Sequence, residues 1–335
     1  MPQLHLFKPL RLQFMLSLPD FREKNIVICF AAEGQKVSFK NDNLIVKDGE
    51  ENTVLQTTCH KIFSLWIVGS ITITSGILER SKKFGFSIYM LLHNCKPYGL
   101  WNSTTEGNFL LRKKQYDYND LSIARHLVNN KIINQIELLK SIRSKPQGAK
   151  DAIAQMSEYA QQTTTAAALQ MLLGLEGVAS RLYFSHWFDE MEWNGRRPRT
   201  KIDIINTTLD IGYTYLFNII ECMLNLYGFD LYQGVYHRSF YQRKSLVCDI
   251  VEPFRCIIDK QIKRSYGLKQ MQKDDFREQK GQYFLKIEKN KDYTRWLIQS
   301  ILEHKENIFS YVQEYYRCFI REKPIDQYPV FKIRE

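Results

Sequence analysis

The chain has 335 residues, of which 44% are hydrophobic and 25% charged. That is length for two domains and enough apolar material for a sizeable core, which excludes an intrinsically disordered chain. Lysine and arginine number 47 against 36 acidic residues, a net charge of +11, which points to a polyanionic partner, nucleic acid first and an anionic membrane surface second.

The seven cysteines form no CxxC pair, which argues against a zinc ribbon or a dithiol redox motif. Their odd number and apolar contexts read as reduced core thiols of a cytoplasmic protein. The first twenty residues lack a signal-peptide pattern, and no apolar stretch reaches the roughly 18 residues of a membrane span.

Residues 1–20 read as an extension. From about Asn25 to Trp101 the chain reads as short strands: IVICF, KVSFK, NLIVKD, TVLQTT and IFSLWIVGSITIT, separated by Gly34, Asn41–Asn43 and Asp48-Gly49. Their β-branched and aromatic residues, bounded by turn formers, predict strands. Ser75–Phe84 predicts a helix stopped by Gly85, and FSIYMLL and PYGLWN predict two further strands. This part is expected to be a small β-sandwich over residues 1–101.

After a linker at 102–108 the period changes. Phe109–Ser144 carries Leu121, Ala124, Leu127, Val128, Ile132, Ile136 and Leu139 at helical spacing. Helical patterns continue to about Cys318, broken near Trp193–Pro198, Gly228–Gly234 and Lys280–Tyr283, with Lys201–Tyr227 as one long apolar helix or a pair. The expected fold class is α+β: an N-terminal β-sandwich domain followed by a larger all-helical catalytic domain over 109–321. The tail 322–335 has two prolines and little periodicity, which leaves it open between a mobile end and a segment lying against a partner.

Two stretches carry the chemistry. Gly174–Phe184 holds one carboxylate, Glu176, in an otherwise apolar run. A buried carboxylate needs a partner, because desolvating its charge is costly. The second stretch, His237–Arg255, holds His237, Asp249 and Glu252. Asp249 and Glu252 are three apart, so on a helix they face one side and repel unless a cation lies between them. Pro253 places Glu252 at a helix boundary. A carboxylate in an apolar helix, an imidazole and a second carboxylate form a usual ligand set for Mg²⁺ or Mn²⁺, hence for metal-assisted phosphoryl chemistry. The competing readings are a core Glu176 paired with Arg181, and helix-end acids partnered by Arg255. His5, His60, His93, His126, His186 and His304 lack ligand spacing, and the chain has neither a GxSxG elbow nor a P-loop.

The motifs G-x-E-G-x-x-x-R-x-Y-F, on Gly174, Glu176, Gly177, Arg181, Tyr183 and Phe184, and H-x(7)-S-L-x-x-D-x-x-E-x-F-R, on His237, Ser245, Leu246, Asp249, Glu252, Phe254 and Arg255, resemble those of the CRISPR-associated adaptation integrase family. Supporting similarity runs through Arg112–Gln115, Lys131, Asn134, Gln135 and Arg196–Asn206, and the resemblance spans about Phe21 to Arg321. GRRPRTKID and LVCDIVEPFRC resemble the variant found beside type V systems.

The resemblance implies an enzyme that inserts short captured DNA into a CRISPR array by attack of a 3′-hydroxyl on a phosphodiester. It implies Mg²⁺ or Mn²⁺ held by Glu176, His237 and Glu252, with Asp249 as an accessory catalytic acid. Arg181, Tyr183, Arg238, Arg243, Lys244, Ser245 and Arg255 are then candidates for DNA contacts. The implied partners are double-stranded prespacer and leader–repeat DNA, a second copy of the chain bound through the β domain, the small second adaptation subunit and an end-trimming nuclease. Two rivals stand beside this reading: a metal-dependent endonuclease on branched DNA, which uses water at the same site, and a non-catalytic DNA-binding scaffold.

Overall fold

The computed structural model describes residues 16–30, 35–69, 75–92, 97–103, 108–191, 193, 195–237 and 241–333. Its N-terminal part is built of strands and the rest is mostly helical. The described residues open with helix α1 (Leu18–Arg22) and strand β1 (Asn25–Phe30), followed by β2 (Lys36–Lys40), β3 (Asn43–Lys47), β4 (Thr53–Thr58) and β5 (Ile62–Val68). Helix α2 (Ser75–Phe84), β6 (Ser87–Leu91) and β7 (Pro97–Trp101) complete this part.

The strands form two sheets. One is the antiparallel meander β2-β3-β4 and the other has the order β1-β5-β6-β7. Local hairpin signals account for the first. The second pairs β1 with β5 and β5 with β6 in parallel, with β7 antiparallel at the edge. Parallel pairing needs a long crossover, and α2 lies within the one between β5 and β6. Strand β5 is buried along its whole length, as expected for a strand apolar at all but Ser64 and covered on both faces. One face, with Leu65 and Ile67, joins Val27, Cys29, Leu44, Val46, Ile77 and Ile88 in a core between the two sheets. The other, with Trp66 and Val68, joins Tyr89 and Leu91 in the large core of the helical part.

The helical part comprises α3 (Phe109–Asp117), α4 (Ser122–Ser141), α5 (Gln147–Thr163), α6 (Leu169–Trp187), α7 (Ile204–Tyr227), α8 (Ser245–Val251), α9 (Arg255–Gly267), α10 (Asn290–Leu302) and α11 (Lys305–Ile320). The run expected as one helix from Phe109 is two. Asp120 accepts hydrogen bonds from the amides of Leu121 and Ser122, so a new helix start competes with continuation. Helix α7 is one element, capped by the Asp203 carboxylate on the Asn206 amide and closed by Gly228 at φ 80°, a left-handed position that glycine adopts without strain. The expected break near Lys280 is a hairpin of β8 (Phe276–Gln279) and β9 (Gln282–Leu285), the one strand pair described within the helical part.

Both ends of the described residues are anchored. Helix α1, which begins within the expected extension and runs past it, lies on α11: Phe21 stacks on Phe309 at 4.2 Å, and Arg22 forks onto Glu306 at 3.0 and 2.8 Å. The tail, expected to be mobile or bound to a partner, lies against this chain's own α4, with Tyr328, Phe331 and Ile333 buried. Among the described residues, no helix is long and apolar enough to cross a membrane.

Candidate active site

Helix α6 presents Leu172, Glu176, Ala179, Tyr183 and Trp187 on one stripe, spaced four, three, four and four. All but Glu176 are essentially inaccessible, and the Glu176 side chain retains 18% exposure. The stripe faces inward because Tyr183 donates to Asp259 at 3.1 Å and Trp187 Nε1 donates to the Asp259 carbonyl at 3.1 Å, tying α6 to α9. Met171, Leu173 and Val178 of the same run are exposed, so the apolar sequence around Glu176 is only half interior.

Helix α4 lies across from this stripe and is buried on nearly every side, Asn130, Lys131, Asn134 and Gln135 included. The Lys131 ammonium contacts Glu176 Oε1 and lies 2.7 Å from Glu252 Oε2. Glu252 opens a single 3₁₀ turn, Glu252–Phe254, between α8 and α9, which is the boundary expected from Pro253. Its other oxygen accepts an ion pair from Arg255 at 2.9 Å. Burial raises the Glu252 pKa, but the charges of Arg255 and Lys131 outweigh burial and bring it down to about 2. Burial likewise works against the Lys131 charge, yet Glu252 and Glu176 prevail and raise its pKa. Both carboxylates therefore meet on one resident cation.

His237 ends a loop that wraps Asp249. Asp249 Oδ2 accepts the amides of Val235 and Tyr236 at 2.6 and 3.0 Å, and Oδ1 accepts the His237 amide at 2.8 Å and meets Nδ1 of the His237 ring at 2.7 Å. Gly234 makes the wrap possible: a Cβ there would stand 2.7 Å from Asp249 Oδ2 and 2.7 Å from the His237 carbonyl. Tyr236, next along, donates its hydroxyl to Glu176 Oε2 at 2.7 Å. Burial and the adjacent Glu176 push the Tyr236 pKa upward, so the phenol stays a donor. The loop thus places His237, held by Asp249, next in the chain to Tyr236, whose hydroxyl meets Glu176.

These contacts revise the expected pairing of acids. Asp249 and Glu252 do not share a cation. Asp249 is fully buried and committed to the loop, whereas Glu252 turns to Lys131 and Arg255. The 3₁₀ turn ends α8 at Val251 and redirects the side chain. Glu176 is partnered by Lys131 and Tyr236, while Arg181 is exposed.

The family model for CRISPR associated protein Cas1 matches residues 28–297. The chain belongs to the Cas1 family. The CRISPR-associated endonuclease Cas1 1 of Thermodesulfovibrio yellowstonii is 29% identical over 280 residues, covering 77% of this chain and 86% of that protein. Among solved structures, a Cas6-RT-Cas1–Cas2 complex superposes with a TM-score of 0.77 at 21% identity, over 93% of this chain and 36% of that longer one. A casposase bound to integration product superposes with a TM-score of 0.72 at 18% identity, over 92% of this chain and 95% of that one. These structures carry the same Cas1 fold.

Several candidate DNA contacts of this Cas1 chain have partners inside the protein. Lys244 pairs with the buried Glu221 carboxylate. Arg255 pairs with Glu252 and lies 4.7 Å over the Tyr213 ring. Tyr183 and Ser245 are buried. Arg181 is exposed and Arg243 half-buried, and Arg238 lies outside the described residues. Tyr236 is a site residue that motif reading passed over, and Lys131 entered it only as supporting similarity, without a site role. The signal for Lys131 was the polar set Asn130, Lys131, Asn134 and Gln135 inside an apolar helix, since buried polar groups need partners.

The donor set fits a small divalent cation in kind: two carboxylates converge on a cationic group, and an imidazole whose Nδ1 is fixed by a carboxylate stands beside them. A carboxylate behind a histidine is a usual support for a metal-ligating ring. Among the described residues no three His, Cys, Asp or Glu groups are gathered as a cage, and the Lys131 ammonium stands between the two glutamates.

Proposed function

We propose that this Cas1 chain is a divalent-cation-dependent DNA integrase that joins the 3′-hydroxyl of a short captured DNA to a phosphodiester of a CRISPR array. The observation that carries this reading is the meeting of Glu176 and Glu252 on the Lys131 ammonium with His237 anchored beside them. Glu176, Glu252 and His237 would hold Mg²⁺ or Mn²⁺, whose Lewis acidity would stabilise charge on the phosphate and orient the attacking and leaving oxygens. The transfer needs no energy input, since one phosphodiester forms as another breaks and the proton of the attacking hydroxyl leaves with the released 3′-oxygen.

The chain's own residues set up this site. Asp249 fixes the His237 ring through Nδ1 and leaves Nε2 as its ligating nitrogen. The Tyr236 hydroxyl orients Glu176, and Arg255 keeps Glu252 ionised. Lys131 holds the two carboxylates together.

The similarity to a casposase bound to integration product favours transesterification, and the similarity to a Cas6-RT-Cas1–Cas2 complex favours a Cas2-type second subunit. The net charge of +11 fits a DNA partner. Hydrolysis of branched DNA by the same site is the second reading, favoured by the endonuclease name of the Thermodesulfovibrio yellowstonii relative.

An end-labelled prespacer incubated with a supercoiled array plasmid and Mn²⁺ separates the readings. Integration joins label to plasmid, whereas hydrolysis nicks the plasmid without joining. Joining that persists in a Glu176→Gln protein, or in EDTA, would refute this assignment of the site. Loss of DNA binding itself in Glu176→Gln would return the scaffold reading to the front.

A further inference from the structure

The last described residues form an extended strap without a strand partner. Exposure alternates from Val330 to Ile333, with Phe331 and Ile333 buried and Val330 exposed, and Tyr328 before them is buried. Its backbone is gripped by two asparagines one turn apart on α4. Asn130 donates Nδ2 to the Phe331 carbonyl at 2.8 Å and accepts the Phe331 amide on Oδ1 at 2.9 Å. Asn134 donates to the same carbonyl at 2.9 Å and accepts the Ile333 amide at 2.9 Å. The two carboxamides thus supply the donor–acceptor pairing that a neighbouring strand would supply. His126 adds a ring contact to the Pro329 carbonyl at 2.8 Å.

The strap also touches the turn that carries Glu252. Phe331 packs on Phe254 with ring centroids 4.6 Å apart, and Asn134 Nδ2 reaches the Pro253 carbonyl at 3.4 Å. Asn134 therefore bonds to the strap and to the Glu252–Phe254 turn with one amide group. Lys131, which meets Glu252, is on the same helix. A three-residue turn has little rigidity of its own, so the Glu252 carboxylate is held by what is packed around it.

We propose that the C-terminal strap, residues 328–333, is a positioning element of the active site: clamped by Asn130 and Asn134, it fixes the Glu252–Phe254 turn and with it the direction of the Glu252 carboxylate. Its effect on a bound divalent ion rests on the metal-site reading above; its effect on the turn does not.

The test uses full-length protein with Asn130→Leu, which breaks bonds to the strap alone, and with Phe331→Ala and Phe331→Leu. Hydrogen–deuterium exchange is read in EDTA, and Mn²⁺ and DNA affinities are read separately. Asn130→Leu and Phe331→Ala are expected to speed exchange at 248–257 together with 328–333. They are also expected to weaken Mn²⁺ binding by about 10- to 100-fold, the usual loss when support behind a metal ligand is removed, with metal-free DNA affinity unchanged. Phe331→Leu, still apolar, is expected to recover most of the loss. The proposal is overturned if the strap exchanges fast while 248–257 keeps its wild-type protection. If Phe331→Ala fails to fold, Asn130→Leu alone decides. Absence of Mn²⁺ binding by the wild-type protein would sink the metal-site reading and leave the exchange result to decide the strap.

Discussion

Asp249 holds His237 twice, by the backbone amide at 2.8 Å and by ring Nδ1 at 2.7 Å, with its second oxygen closing on the two preceding amides. One buried carboxylate therefore sets the loop path, the ring orientation and the tautomer together.

Asp249→Asn tests this. The substitution keeps the shape, removes the charge and faces an NH₂ group toward backbone N–H groups. Mn²⁺ affinity and single-turnover strand transfer are expected to fall about 10- to 100-fold, with DNA affinity unchanged. Titration calorimetry with Mn²⁺ alongside a DNA-binding assay separates positioning from binding.

His237→Ala is expected to abolish strand transfer while leaving DNA affinity near wild type. A neutral imidazole contributes a ligand bond and no phosphate-neutralising charge, and a small displacement of a catalytic group removes orders of magnitude in rate. Single-turnover integration with labelled DNA at saturating protein reads the chemical step. Wild-type rates in Mg²⁺ would remove His237 from the active site.

Lys131→Met leaves two carboxylates together without their cation. Breaking a mostly buried ion pair from one side destabilises by about 3–5 kcal/mol, so the variant in EDTA should melt well below wild type. Added Mn²⁺ should stabilise the variant more than wild type, because the ion no longer competes with the ammonium. Equal Mn²⁺-induced shifts in melting temperature would show that Lys131 does not occupy the ion's place.

Asp259 gives a pH prediction away from the two glutamates. It is buried, accepts the Tyr213 and Tyr183 hydroxyls, and faces the charges of Arg255 and Arg196. Burial raises its pKa to about 6 against the lowering effect of these partners. A carboxyl whose folded pKa lies above its unfolded value stabilises fully below the unfolded value and loses that contribution as pH rises through the folded one. Stability should therefore decline from about pH 4 to 6 by this group, and Asp259→Asn should flatten the decline. Melting temperatures of both proteins from pH 4 to 7, at fixed salt, measure it.

The sequence by itself determined the local elements and the identities of the site acids. β-Branched and aromatic runs with turn residues between them marked β2, β3 and β4 as strands, the break at Gly228 ended α7, and Pro253 placed Glu252 at a helix end, because each of these signals acts within a few residues. The motifs around Glu176 and His237–Arg255 marked the acids and the imidazole. Only the tertiary structure decided who faces whom. Parallel pairing of β1 with β5, Lys131 between Glu176 and Glu252, Asp249 turned to its loop and the tail clamped by Asn130 and Asn134 all join residues far apart in the chain. Their partners are chosen by packing, since a buried charge or amide takes whichever complementary group the folded core brings within reach.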